Sequence, residues 1–218
     1  MNREQRREKF LRVDLYPVTC ERLSAGRSNL DVLEAAIRGG AKVIQLREKE
    51  LPGRDLYRLA CAFRKITAEA GVLLIINDRV DIALAADADG VHLGQDDLPL
   101  AAARRIAPEL LIGISTHSRA EALQAESEGA DYVNIGPIFP TATKEGVSRF
   151  LGPEAIPGIA AGLAIPFTVM GGIGAANIGR VVSQGAHRVA VVTAVTLATD
   201  IASAVDELRG KIKSSTAA

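Results

Sequence analysis

A chain of 218 residues, 48% of them hydrophobic, carries enough apolar side chain for one substantial core. Lysine plus arginine equals aspartate plus glutamate, 26 against 26, which excludes a bulk charge that would draw the chain to nucleic acid or an anionic membrane; an anionic ligand has to be held by local geometry. Two cysteines, Cys20 and Cys61, are too few for a disulfide framework and read as reduced thiols of a cytoplasmic protein.

The chain opens on "MNREQRREKF", which is charged, has no apolar h-region and so is not a secretory signal. Residues 1–12 form a charged extension, either an extra helix over the bottom of the fold or a solvated arm. The first strand is "DLYPVT" (14–19), followed by a helix over 29–38 that Ser28 or Asn29 can cap. Then "GGAKVIQL" (39–46) opens a series of four related segments with "DADGVHLG" (87–94), "EGADYVNIG" (128–136) and "QGAHRVAVV" (184–192). In each, a glycine or Asp-Gly ends a helix and a β-rich run begins. Between them lie the strands "VLLIIN" (72–77), "LLIGIS" (110–115) and "PFTVMG" (166–171). The aliphatic run "VLLII" is far shorter than the roughly 20 residues of a membrane span. Helical patterns fill 54–70, 79–86, 99–106, 118–128 (capped by Ser118), 153–162, 175–184 and 199–212.

The strands are unbroken apolar runs, as in a parallel sheet covered by helices. Eight strand–helix units predict a single-domain α/β fold, a (β/α)8 TIM barrel over 13–212, with residues 213–218 as a flexible tail. An open doubly wound sheet is the alternative.

In such a barrel the loops after the strands build the active site. The second strand runs into "QLREK", where Gln45, Arg47 and Lys49 alternate and so point to one side, a grip suited to a polyanion. The third ends in Asn77 and Asp78, the fourth in Asp96 and Asp97, and the fifth in Ser115 and His117. The sixth ends in "GPIFPTATKEG" (136–146), with Thr141, Thr143 and Lys144. The seventh ends in "MGGIG" and the eighth near Val192 and Thr193. Each residue has an ordinary use as well. Arg47 and Lys49 could be surface charges beside Glu48 and Glu50, Asp78 and Asp97 helix caps, His117 a packing or capping residue, and "GGIG" a tight turn. Their shared rim favours function. Two carboxylates from neighbouring strands suit Mg²⁺, and the adjacent cations point to a diphosphate. The glycine turn suits a second phosphate held by backbone N–H groups.

At "QLREK", "INDRVDIALAADADGVHLGQDD", "GISTHS", "GPIFPTATK", "MGGI" and "GAHRVAVVTAV" the chain resembles the thiamine phosphate synthases, over about 45 to 195. The resemblance implies a transferase of thiamine biosynthesis. A hydroxymethylpyrimidine diphosphate loses diphosphate, and its methylene cation is captured by the ring nitrogen of a thiazole phosphate or its carboxylated form, giving thiamine phosphate. It implies that Gln45, Arg47, Lys49, Asn77, Ser115 and Lys144 hold the pyrimidine diphosphate, with Arg47, Lys49, Ser115 and Lys144 catalytic. Asp78 and Asp97 match ligands of a Mg²⁺ cofactor. Thr141, Thr143, Gly172, Val192 and Thr193 match positions around the thiazole phosphate. Segment 136–146 is expected to close over both anions. The chain departs from the family pattern at His187–Arg188, where Asp-Gly is usual, at Thr193, where Ser is frequent, and at Met170, where a smaller residue is common; these departures bear on the thiazole phosphate site. The expected partners are these two small molecules, with neither nucleic acid nor membrane, and a homo-oligomer stays open. A thiazole tautomerase-like barrel and a non-catalytic phosphometabolite-binding barrel are the alternatives.

Overall fold

The computed structural model describes residues 1–141 and 149–214. Helix α1 (Arg3–Leu11) comes first, capped by Asn2 in a reciprocal capping box with Gln5. Then follow β1 (Leu15–Pro17), α2 (Asn29–Arg38), β2 (Val43–Leu46), α3 (Gly53–Ala70), β3 (Leu73–Asn77), α4 (Val80–Ala85), β4 (Gly90–Leu93), α5 (Leu100–Ile106) and β5 (Leu111–Thr116). The second half runs α6 (Arg119–Ser127), β6 (Tyr132–Ile135), α7 (Ile156–Ala160), β7 (Phe167–Val169), α8 (Ile178–Val182), β8 (Val189–Val191), α9 (Thr193–Thr196) and α10 (Ile201–Ser214). All strand pairs are parallel, in the order β1-β8-β7-β6-β5-β4-β3-β2. The remaining seam, β1 to β2, is closed by a Val18–Gln45 bridge, with Thr19 N donating to Gln45 O at 2.9 Å. The expected (β/α)8 barrel is what forms, and the open sheet is excluded.

Strand alternation divides the apolar residues between two cores. Ile44, Leu74, Ile76, Val91, Ile112, Val133 and Val189 face outward and pack under the helices in one large cluster. Val43, Leu73, Ile75, Leu111 and Ala190 face the barrel axis, with Tyr16, Tyr132 and Phe10 of α1. The axis core is small and aromatic because Gly113 of β5 leaves a gap that the Tyr132 ring fills. A Cβ at 113 would overlap that ring. Gly113→Ala is therefore expected to cost about 1–3 kcal/mol, read as a lower denaturant midpoint; an unchanged midpoint would refute this packing account.

The repeated segments have a physical meaning at the barrel's lower end. Asp89, just before β4, accepts the Leu74 amide of β3 at 2.9 Å; Asp131, just before β6, accepts the Ile112 amide of β5 at 2.9 Å. The aspartate of "DADG" and of "EGAD" thus satisfies the neighbouring strand's backbone. Both are buried and paired with arginines: Arg64 on Asp89 at 2.8 Å, and Arg104 (2.5 Å) with Arg3 of α1 (2.8 Å) on Asp131. Arg6 adds a bond to the Glu109 carbonyl at 2.8 Å. Residues 1–12, left open between arm and helix, lay helix α1 across the barrel bottom.

Expected helices and observed ones agree closely in the first half, where Ser28 caps α2 and Ser118 caps α6. Helix α9 was not expected. Its sequence "TAVT" is β-branched at three of four places and reads as the end of a strand. In the span 153–162 a 3-10 turn (Pro153–Ala155) precedes α7.

Candidate active site

A cavity of about 460 Å³ opens at the C-terminal ends of the strands. Alternation that puts Val43 on the axis also puts Gln45 there, and the same phase carries Arg47 and Lys49 to the cavity wall. Glu48 points away and accepts the Glu21 amide at 2.7 Å. Arg47 is half-buried and lines the cavity together with the more exposed Lys49.

Asp78 lies one residue beyond β3 with φ +61°, the left-handed region that an aspartate tolerates better than most residues. Its amide bonds to the His92 carbonyl of β4 at 2.8 Å, which turns the chain so that the carboxylate reaches Lys49 Nζ at 3.0 Å. Asp97 folds back onto the Gly94 amide at 2.6 Å. Neither aspartate caps a helix: α4 and α5 have no side-chain cap, so that ordinary use is excluded for both. The two carboxylates instead face each other. Burial pushes the Asp97 carboxyl upward, the Gly94 amide pulls it back, and Asp78 adds to the upward push, partly offset by Lys49. A half-buried pair of like charges with oxygen donors only is a site a hard divalent cation would relieve.

Asn77 and Ser115 line the same cavity, as do Thr141, Gly172, Val192 and Thr193. Thr143 and Lys144 lie outside the described residues, as do residues 142–146 of the expected closing segment. Its flanks are described. Ile138 N and Phe139 N bond to the Met170 and Gly171 carbonyls at 2.9 and 3.0 Å, and Leu151 N returns to Pro137 O at 2.9 Å. Gly171 and Gly172 take φ of +112° and +61°, and a Cβ on either would collide with the 137–140 backbone. Here "GG" is needed both for the turn and for the close approach.

His117 lines the cavity and is held at the start of α6. Its Nδ1 and its backbone N–H both meet Glu121 Oε2, at 3.0 and 2.8 Å, at the start of α6. Of the departures from the family pattern, Met170 lines the cavity. His187 and Arg188 precede β8, at the opposite end of the barrel, where Arg188 donates to Leu11 O of α1 at 2.7 Å. That pair therefore bears on how α1 docks, and the expectation that it bears on the thiazole phosphate site is corrected.

The cavity also holds residues that sequence reasoning missed: His92, Gln95, Asn134 and Arg149. His92 and Asn134 sit at axis-facing positions of otherwise apolar strands. Extending the two-residue phase of Gln45 to "GVHL" and "YVNI" would have found them. Asn134 Oδ1 accepts from Thr168 at 2.8 Å. Burial lowers the His92 pKa to about 4, against an opposing pull from Asp97. Its imidazole is neutral at pH 7.

The model of the family described as thiamine monophosphate synthase matches residues 15–195. A thiamine-phosphate synthase of Methanoculleus marisnigri is 49% identical over 200 residues, covering 91% of this chain and 95% of that one. One from Chlorobium luteolum is 54% identical over 183 residues, covering 84% and 86%. Among solved structures, the thiamine phosphate pyrophosphorylase from Pyrococcus furiosus superposes with a TM-score of 0.87 at 39% identity, covering 96% of this chain and 98% of that one. A 3-hexulose-6-phosphate synthase, at 19% identity and a TM-score of 0.67, shares the fold alone. The matched span takes in all eight strands and the rim that gathers Arg47, Lys49, Asp78 and Asp97: the chain belongs to the thiamine monophosphate synthase family.

Proposed function

We propose that the chain is a thiamine phosphate synthase, an alkyl transferase that joins a hydroxymethylpyrimidine diphosphate to a thiazole phosphate and releases diphosphate. The observation that carries this reading is the meeting of Asp78 and Asp97 on one rim, with Lys49 on Asp78 and Arg47 on the same wall. Opposite them the Gly171–Gly172 turn and the Val192–Thr193 step offer a place for a monophosphate. Two anions, one at each end of a single cavity, fit a two-substrate condensation.

The residues divide the work as follows. Gln45, Asn77 and Ser115 orient the pyrimidine. Asp78 and Asp97 would hold Mg²⁺, which supplies charge neutralisation to a departing diphosphate. Arg47 and Lys49 meet the charge that grows on the leaving oxygens as the C–O bond breaks. The methylene carbon, left cationic, is captured by the thiazole nitrogen, held within reach by Thr141, Gly172, Val192 and Thr193. Thr143 and Lys144 enter this reading on their sequence alone. No protein nucleophile is required, and Cys20 is buried beneath Arg47, whose guanidinium lies 3.8 Å from its sulfur. Among the described residues no helix is long and apolar enough to cross a membrane.

The purified chain, given both substrates and Mg²⁺, is expected to form thiamine phosphate and diphosphate in equal amounts. Isomerisation of the thiazole alone, or binding of both molecules without turnover, would overturn the proposal in favour of a tautomerase or a regulator.

A further inference from the structure

At the cavity floor, five side chains form one hydrogen-bonded line across the barrel. Gln45 Nε2 lies 2.9 Å from Tyr16 Oη, Tyr16 Oη 3.0 Å from Tyr132 Oη, Tyr132 Oη 3.1 Å from His92 Nδ1, and His92 Nε2 2.9 Å from Ser115 Oγ. The line joins Gln45 and Ser115, which have assigned roles, through His92, which also lines the cavity, and the buried Tyr16 and Tyr132.

Counting protons gives the line a direction. The Gln45 amide nitrogen only donates, so Tyr16 Oη accepts there and its own proton goes to Tyr132. Tyr132 then gives its proton to His92 Nδ1. His92 keeps its single proton on Nε2 and donates it to Ser115 Oγ. Ser115 has accepted from below, and its own O–H is left to point into the cavity. The reverse direction would leave the Tyr16 proton without an acceptor at Gln45 Nε2, would spend the serine proton on His92, and would turn only oxygen lone pairs toward an anionic ligand. Packing holds the line in place. The Tyr132 ring stacks on Phe10 of α1 at 4.3 Å and on His92 at 5.6 Å, and Gly113 admits it.

We propose that His92 and Tyr132 are positioning residues: the buried line from Gln45 fixes His92 as the Nε2–H tautomer and thereby fixes Ser115 as a hydrogen-bond donor to the pyrimidine diphosphate. The donor's target rests on the synthase reading; the direction of the line does not. Because hydrogen bonds in such a chain polarise one another, its effect at Ser115 exceeds that of a lone hydroxyl.

Two measurements test it. The first is nitrogen-detected NMR of ¹⁵N-histidine-labelled enzyme without substrates. The chain has three histidines, so His92 is assigned by elimination with His117→Asn and His187→Asn. A proton on Nε2 and none on Nδ1 is expected; a proton on Nδ1, or a mixture of tautomers, overturns the proposal whatever the enzyme's activity. The second is a kinetic cycle. Ser115→Ala is expected to lower kcat/KM for the pyrimidine diphosphate about tenfold or more. Tyr132→Phe, which frees His92 to take the other tautomer, is expected to lower it similarly while leaving KM for the thiazole phosphate unchanged. In the double variant the second change should add less than about threefold. Fully additive losses would overturn the coupling. If Tyr132→Phe does not fold, the tautomer measurement on the unchanged enzyme decides.

Discussion

Asp78→Asn is expected to lower kcat/KM for thiamine phosphate formation by about 10²- to 10³-fold, the range seen when one charge-stabilising group is removed from a reacting centre. Three features make the substitution a clean one. Asparagine keeps the size of the side chain. It also tolerates the left-handed backbone that this position requires at φ +61°, where alanine would add strain. No helix loses a cap, because α4 has no side-chain cap to lose. The thermal midpoint should therefore move by no more than about 2 °C, since no buried contact is removed. The charge change falls on Lys49, whose 3.0 Å partner becomes neutral, and on Asp97, which no longer faces a second carboxylate. Steady-state kinetics with a Mg²⁺ titration and a parallel melting curve check both halves. Activity near that of the parent would remove Asp78 from the chemistry.

Asp131→Ala is expected to be the most damaging single change to stability among those considered, by about 3–5 kcal/mol. The carboxylate is buried and serves four partners at once: Arg104 of α5, Arg3 and Arg7 of α1, and the backbone N–H of Ile112 in β5. Its removal leaves a partly buried guanidinium without a counter-charge, an unsatisfied amide at a strand start, and α1 with one anchor fewer. For a chain of this size the loss corresponds to a fall in Tm of about 10 °C or more. Asp131→Asn, which retains an acceptor for Ile112, should fall between the two. Calorimetry of the three proteins tests the ranking. Equal midpoints would mean that the arginine cluster under the barrel is solvated surface charge worth little.

Much of this architecture could be read from the amino acids, for identifiable reasons. Continuous apolar runs such as "VLLII" can be buried on both sides only in a parallel sheet under helices, and the glycine-led repeats mark where each helix hands over to a strand. The rim was legible because polar residues at strand ends stand out against that background. Gln45, Arg47, Lys49, Asn77, Asp78, Asp97, Ser115, Thr141, Gly172, Val192 and Thr193 all line one cavity. What stayed hidden was the barrel's interior. Tyr16, Tyr132 and His92 are separated by up to 116 residues, and nothing in their local sequence says that they meet. Long-range contact, not strand propensity, defines them. The role of α1 was hidden for a similar reason. Its charged sequence fits a solvated arm as well as a docked helix, and the choice is made by Asp89, Asp131 and the socket that takes Phe10. His117 shows the converse. Conspicuous next to Ser115, it lines the same cavity, but its ring is held by Glu121.

A crystal structure of the enzyme soaked with Mg²⁺, thiamine phosphate and diphosphate would bear on all of this at once. The geometry predicts a metal ion touching both the Asp78 and Asp97 carboxylates, the diphosphate against Arg47 and Lys49, and the monophosphate of thiamine phosphate at the Gly171–Gly172 turn. Diphosphate bound away from the Arg47–Lys49 wall, or a metal ion that touches neither aspartate, would contradict it.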